Sequence, residues 1–236
     1  MPSALLSSPG FIAAGHFQTG DHLSRNEFLR IWNKLPKLKR AELIRGVVYL
    51  MSSPVSIEHG DMENNIGSWI NWYRTATPGC ASGNNATALL LDDSCPQPDV
   101  NLRIIPEFGG MSRVRKKLIF GAAELFAEVS STSASMDLHQ KYDIYREAGV
   151  PEYVVVVLNS KQIRWHFLVK KQYQLIPADS AGVYRSQKFP GLWLDSKALF
   201  ANDMAKVMAT LQKGIDSDEH QHFVEELAKR KRASKK

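Results

Sequence analysis

Three ionisable residues stand where a core would call for apolar ones. Glu128 lies inside Leu125-Phe126-Ala127-Glu128-Val129, a run with the composition of a buried strand. An ionised carboxylate there is costly unless it is paired or holds a metal. Asp99 follows Pro98 and opens a strand candidate, Asp99 to Ile104. Alternation puts Asp99, Asn101 and Arg103 on one face and Val100, Leu102 and Ile104 on the other. Lys141 falls in the middle of an apolar stripe with Leu138, Ile144 or Tyr145, and Ala148. Each has a plainer reading by itself: a carboxylate at a wet strand end, a Pro-Asp turn, a snorkelling lysine. Together, two acids on neighbouring strands and an inward lysine on the next helix can converge at one sheet edge. Two carboxylates suit a hard cation such as Mg²⁺. Such a cation acidifies a bound water and polarises a phosphoryl oxygen. A nearby ammonium positions that water or offsets charge building on the phosphate. This is equipment for phosphodiester hydrolysis.

The elements that must position these residues follow from pattern. Ser24 and Glu27 form a capping box that starts a short helix from Arg25 to about Asn33. Ala41 to Met51 reads as two short strands around Gly46. A helix is expected from Ile57 to about Arg74, with His59, Met62, Ile66, Ile70 and Tyr73 on one stripe. Thr87 to Leu91 is a further strand candidate, and 106–117 reads as a polar loop. Leu118 to Ser130 contains the apolar run of a strand buried on both faces. The helix Asp137 to Ala148 is closed by Gly149 and Pro151. The valine-rich run Tyr153 to Leu158 suggests a parallel crossover from 125–130, and Ile163–Val169 with Tyr173–Ile176 suggests an antiparallel edge hairpin. A helix is expected from about Ser196, and 203–236 reads as helical and polar. The fold class is therefore α/β or α+β around a mixed central sheet. Residues 1–23 read as a loose arm, 24–200 as the domain, and 201–236 as a helical extension with a basic tail.

The chain has 236 residues, 44% of them hydrophobic, enough for a real core. No apolar run reaches the ~18 residues of a membrane helix, and no secretory signal pattern is read at the start. Cys80 and Cys95 cannot make a disulfide framework or a four-thiolate zinc site, so a cytoplasmic setting is the default expectation. Lys229, Arg230, Lys231, Arg232, Lys235 and Lys236 account for the whole net charge of +6. They read either as a solvated, frayed end or as a phosphate-attracting tail. Phosphate-loop, dinucleotide-fold and nucleophile-elbow motifs are absent from the sequence. Trp69, Trp72 and Tyr73 read as core rather than as a stacking platform.

Pro98-Asp99 followed by Glu128-Val129-Ser130 resembles the PD-(D/E)XK nuclease signature. More closely, the chain resembles the Uma2 (Uma-two) family of restriction-endonuclease-like proteins. Glu42 to Met51, Ser56 to Gly60 and Pro98-Asp99-Val100 carry the resemblance, as do Glu128 to Ser133, Asp137 to Lys141, Tyr145 to Tyr153, and Phe189 to Phe200. The family implies a restriction-endonuclease-like core, a divalent cation (Mg²⁺ or Mn²⁺), and DNA as substrate. Carried over by position, Asp99 and Glu128 are metal ligands, helped by Glu42 or the Val129 carbonyl, and His59 touches phosphate. The signature's lysine two residues after the Glu is Ser130 here, and Lys141 matches the family's downstream lysine. Val154 and Val157 stand where relatives carry an aromatic residue and an Asp.

The reading is a metal-dependent DNA endonuclease with Asp99, Glu128, Lys141 and Glu42 as catalytic residues. It needs no membrane, and a duplex with two strands to cut invites a homodimer. A catalytically silent nucleic-acid-binding module of the same fold is the alternative. A third reading is a partner-binding protein with 203–236 as an assembly helix.

Overall fold

The computed structural model of the chain describes residues 17–35, 40–50, 56–131 and 136–234. Ser24 and Glu27 form the capping box that opens α1 (Arg25–Trp32). A tight hairpin follows, β1 (Ala41–Ile44) and β2 (Val47–Leu50). Arg45 and Gly46 both take positive φ between these strands, the backbone a two-residue hairpin needs, and Gly46 does so without strain. This turn pairs Glu42 with Tyr49. Ser56 caps α2 (Ile57–Ala76), accepting a hydrogen bond from the His59 amide, and so fixes the turn that carries His59.

Next come β3 (Cys80–Asn84), β4 (Ala88–Leu89) and β5 (Val100–Ile104). After a 3₁₀ turn at Pro106–Phe108 come β6 (Arg113–Arg115), β7 (Leu118–Phe120) and β8 (Leu125–Ser130). A wide π-helical stretch, Met136–Lys141, leads into α3 (Tyr142–Glu147). Then follow β9 (Glu152–Val157), β10 (Gln162–Val169), β11 (Gln172–Leu175), β12 (Val183–Arg185) and β13 (Trp193–Asp195). The chain finishes with α4 (Ser196–Phe200), α5 (Met204–Ile215) and α6 (Asp218–Ala233).

The central sheet has six strands in the order β11-β10-β9-β8-β5-β3. Only β8 and β9 run parallel within it, which is the expected crossover, and β10–β11 is the expected antiparallel edge hairpin. The mixed central sheet flanked by helices is therefore present. One face, with Val100, Leu102, Leu125, Ala127, Val154 and Val156, packs on α2, and α5 and α6 extend the same core. The opposite face, with Phe126, Tyr153 and Val155, packs on Ile144 and Tyr145 of α3 and on Ile44 of β1. Trp69 and Tyr73 are fully buried, whereas Trp72 is half exposed and donates to Gln212.

Several boundaries differ from the sequence reading. The run 118–130 is two strands, because Glu124 turns inward and accepts from the Ile104 and Met111 amides at 2.8 and 2.9 Å. Arg113–Arg115, expected as loop, pairs with β7. Phe17, assigned to the arm, stacks on Phe28 at 5.0 Å between centroids. Lys229 to Arg232 lie on α6, whose Leu227 is buried and whose Lys231 ammonium sits 4.8 Å from the centre of the Phe108 ring. The frayed end expected there is instead a docked helix as far as Ala233. Lys235, Lys236, Met51 and Ser133 lie outside the described residues.

Candidate active site

The strand register generates the site. Val100 pairs with Ala127 and Asn101 with Phe126, so the same ladder sets Asp99 opposite Glu128 on one face. Two carboxylates directly across a strand pair repel unless a cation lies between or beside them. Asp99 is 6% exposed and Glu128 2%. Asp99 Oδ2 accepts from the Val129 amide at 2.8 Å. Glu128 Oε1 accepts from Lys141 Nζ at 3.0 Å and from the Tyr145 hydroxyl at 2.8 Å.

Lys141 does not snorkel. It is 2% exposed, and its ammonium lies 3.1 Å from Glu42 Oε1, 3.0 Å from Glu128 Oε1 and 3.6 Å from Asp137 Oδ1. Asp137 and Lys141, i and i+4 in the π-helical stretch, both turn inward, and π geometry is common at functional sites. Burial pulls the Lys141 pKa down, but Glu128, Glu42, Asp137 and Asp99 outweigh it and hold the ammonium well above its ordinary range. Burial pushes Glu128 well above the usual carboxylate range, with Lys141 opposing. Burial likewise raises Asp99 to about 6, against Lys141 and the Val129 amide. Burial also keeps the Tyr145 phenol protonated, so it donates to Glu128.

Glu42, fully buried on β1, also accepts from the Gln97 amide at 2.6 Å. Its Oε2 is buried without a hydrogen-bond partner among the described residues, as is Ser130 Oγ. Ser130 occupies the strand position after Val129 and presents no charge.

On the other side of Asp99 a second group assembles. Ligand atoms of His59, Glu63 and Asp99 all lie within 4.8 Å of one another. His59 and Glu63 sit one turn apart on α2, so the helix presents both on one side. Glu63 Oε1 accepts from Asn85 Nδ2 at 2.5 Å. Arg40 donates to Asn85 Oδ1 and approaches Asp99 Oδ1 at 3.7 Å. Sequence reasoning singled out His59 but missed Glu63, Asp137, Tyr145 and Arg40. The i, i+4 pair His59/Glu63 was the legible signal.

The donor set fits a hard divalent cation. Among the described residues, Glu42, Glu128 and Asp137 converge on the Lys141 ammonium, and Asp99, in the group with His59 and Glu63, lies 3.7 Å from the Arg40 guanidinium. Carboxylate and imidazole donors at this separation can reach one ion. Asp99 is common to both groups. Glu128 lies outside the His59–Glu63–Asp99 group, with Oε1 already held by Lys141 and Tyr145.

The sequence profile of the Uma2 family, described as "Putative restriction endonuclease", matches residues 25–197. A solved structure described as "a putative nuclease belonging to DUF820 from Anabaena variabilis" superposes with a TM-score of 0.54 at 14% identity, covering 72% of this chain and 96% of that chain. That likeness speaks to the fold. No curated protein matches the chain. With the profile spanning most of its length, the chain belongs to the Uma2 family of restriction-endonuclease-like proteins.

Proposed function

We propose that this chain is a divalent-metal-dependent nuclease that hydrolyses DNA phosphodiester bonds. The observation that carries the reading is the buried Lys141 ammonium held among Glu128, Glu42 and Asp137, beside an Asp99 that also groups with His59 and Glu63. Asp99, His59 and Glu63 would hold Mg²⁺ or Mn²⁺, with Glu128 across the strand pair as the further carboxylate. A residue in an antiparallel ladder turns its N–H and C=O to the same neighbour. The Val129 carbonyl, on the edge where its amide meets Asp99, is thus available to the same ion. The cation, when bound, supplies an acidified water and charge neutralisation at the phosphate.

The protein's own groups do the rest. The Val129 amide fixes the Asp99 carboxylate through Oδ2, which leaves Oδ1 on the side of Arg40 in one orientation. Lys141 and Tyr145 hold Glu128 in one rotamer. Lys141 keeps its proton at neutral pH and stabilises charge developing on the phosphate, replacing the strand lysine that Ser130 lacks. Glu42 positions Lys141, and its unpartnered Oε2 remains available to a bound water. His59, expected at phosphate, joins the metal-facing group in this proposal.

Supercoiled plasmid and linear duplex incubated with Mg²⁺ or Mn²⁺ test the proposal. Cleavage is expected, with a loss of about 10²-fold or more in Asp99→Asn and in Lys141→Met. Cleavage unchanged in both variants overturns it. The absent strand lysine favours a second reading, a binding module of the same fold. That reading predicts salt-dependent DNA binding with no metal-dependent product.

A further inference from the structure

A cleft of about 850 Å³ opens between α1 and the β4–β7–β6 sheet. This is the size of a ligand pocket. Trp32 and Phe120 contribute ring surface to it, and Arg30, Arg115 and Lys116 stand on its rim. No acidic side chain lines it among the described residues. The Arg115 guanidinium lies 5.9 Å from the centre of the Phe120 ring, so charge and π surface are juxtaposed. The hairpin bearing Arg115 is cationic along its length, with Arg113, Arg115, Lys116 and Lys117 all exposed.

The cleft is wired to the acid cluster. Its wall residue Thr87 accepts from the Gln97 side chain at 2.9 Å, and the Gln97 amide donates to Glu42 at 2.6 Å. Two hydrogen bonds therefore separate the cleft wall from the carboxylate that holds Lys141.

We propose that this cleft binds an unpaired nucleotide of the nucleic-acid strand, stacking its base on Phe120 and taking the flanking phosphates on Arg30, Arg115 and Lys116. The inference deepens the nuclease reading and rests on it for the identity of the ligand. A base offers a π face whatever its sequence, and cations beside aromatic rings are what single strands require. A closed duplex hides its bases in the stack and offers only phosphates. The substrate preferred here is therefore DNA with an unpaired or splayed nucleotide next to the scissile bond.

Fluorescence anisotropy in chelator, with a labelled single-stranded oligonucleotide and a blunt duplex of equal length, tests the cleft without any cleavage. The single strand is expected to bind roughly tenfold tighter. Phe120→Leu, which keeps an apolar side chain, should erase that preference. The double variant Arg115→Gln/Lys116→Gln changes exposed residues only and should reduce the single-strand salt slope by about 1.4. Equal affinity for both probes, or single-strand affinity and salt slope unchanged in both variants, overturns the proposal, and would leave the cleft to a non-nucleic-acid partner. The two readings fail separately. Loss of metal-dependent cleavage in Asp99→Asn with cleft variants inert retains the nuclease and removes the cleft. Variant-sensitive oligonucleotide binding without any cleavage retains the cleft and removes the nuclease.

Discussion

At the residue scale, the Lys141 ammonium touches Glu42, Glu128 and Asp137 at once, and all four groups are shielded from water. Removing one partner of a buried ionic network leaves charge stranded, at a typical cost of about 3–5 kcal/mol. Lys141→Met should lower unfolding free energy by that order in denaturant titrations. Adding Glu128→Gln should recover part of it, and a loss under about 1 kcal/mol would place the ammonium in water after all. A second residue-scale prediction concerns His166, packed against Tyr142, Tyr153 and Tyr173. Burial, then Arg164, lowers its pKa from 6.5 to about 4. The unfolded chain therefore takes up this proton first as pH falls, so stability present above pH 6.5 declines between about 6.5 and 4. The melting temperature of His166→Phe should fall less over that window than that of the parent. Parallel curves would mean the imidazole titrates normally. Asp99, Glu128 and Lys141 were legible because charged types stood in apolar runs. Asp137 was not, since an acid on a helix usually faces water and only the fold says which turn looks inward, and Glu63 showed only through its i, i+4 spacing from His59.

At the element scale, what positions the site is register and close approach. The antiparallel ladder fixes Asp99 opposite Glu128, and the π-helical stretch turns Lys141 onto them. Side-chain periodicity placed a helix there but could not distinguish π from α winding over so few residues. Cys80–Asn84 escaped notice as a strand because Cys-Ala-Ser-Gly-Asn lacks the β-branched and aromatic types that mark strands. It is only half buried at the sheet edge. The valine run of β9 was plain for the opposite reason. Backbone contact between Gly191 and Gly214 seats α5 on the core, and a Cβ at Gly214 would lie 2.2 Å from the Gly191 carbonyl oxygen. Gly214→Ala should destabilise by about 1–3 kcal/mol in thermal or chemical unfolding. An unchanged transition would show that α5 docks without that contact.

At the scale of the whole molecule, four of the six cations that match the net charge of +6 lie on the last turns of a packed helix, α6. Leu227 is buried, Lys231 covers the Phe108 ring, and the Ser234 hydroxyl donates to the Glu107 carbonyl. His220 and Thr77, 2.9 Å apart, tie α6 to the end of α2. Composition alone could not separate this from a solvated tail, because the cations lie on the exposed side and the few apolar anchors are spaced by helical turns. Deleting 218–236 should lower the melting temperature by several degrees and expose the Phe108 region to a hydrophobic dye. A deletion that weakens DNA binding while leaving stability intact would restore the tail reading. Among the described residues no helix is long and apolar enough to cross a membrane.

The claim on which the functional account turns is that Asp99, His59 and Glu63 form one cation site beside the Lys141 network. Anomalous diffraction from crystals soaked in Mn²⁺ tests it most directly. A peak at about 2.1 Å from an Asp99 carboxylate oxygen, in contact with His59 or Glu63 and lost in Asp99→Asn, is the predicted result. A peak seated elsewhere, or none at millimolar Mn²⁺ with the side chains arranged as described, contradicts the account.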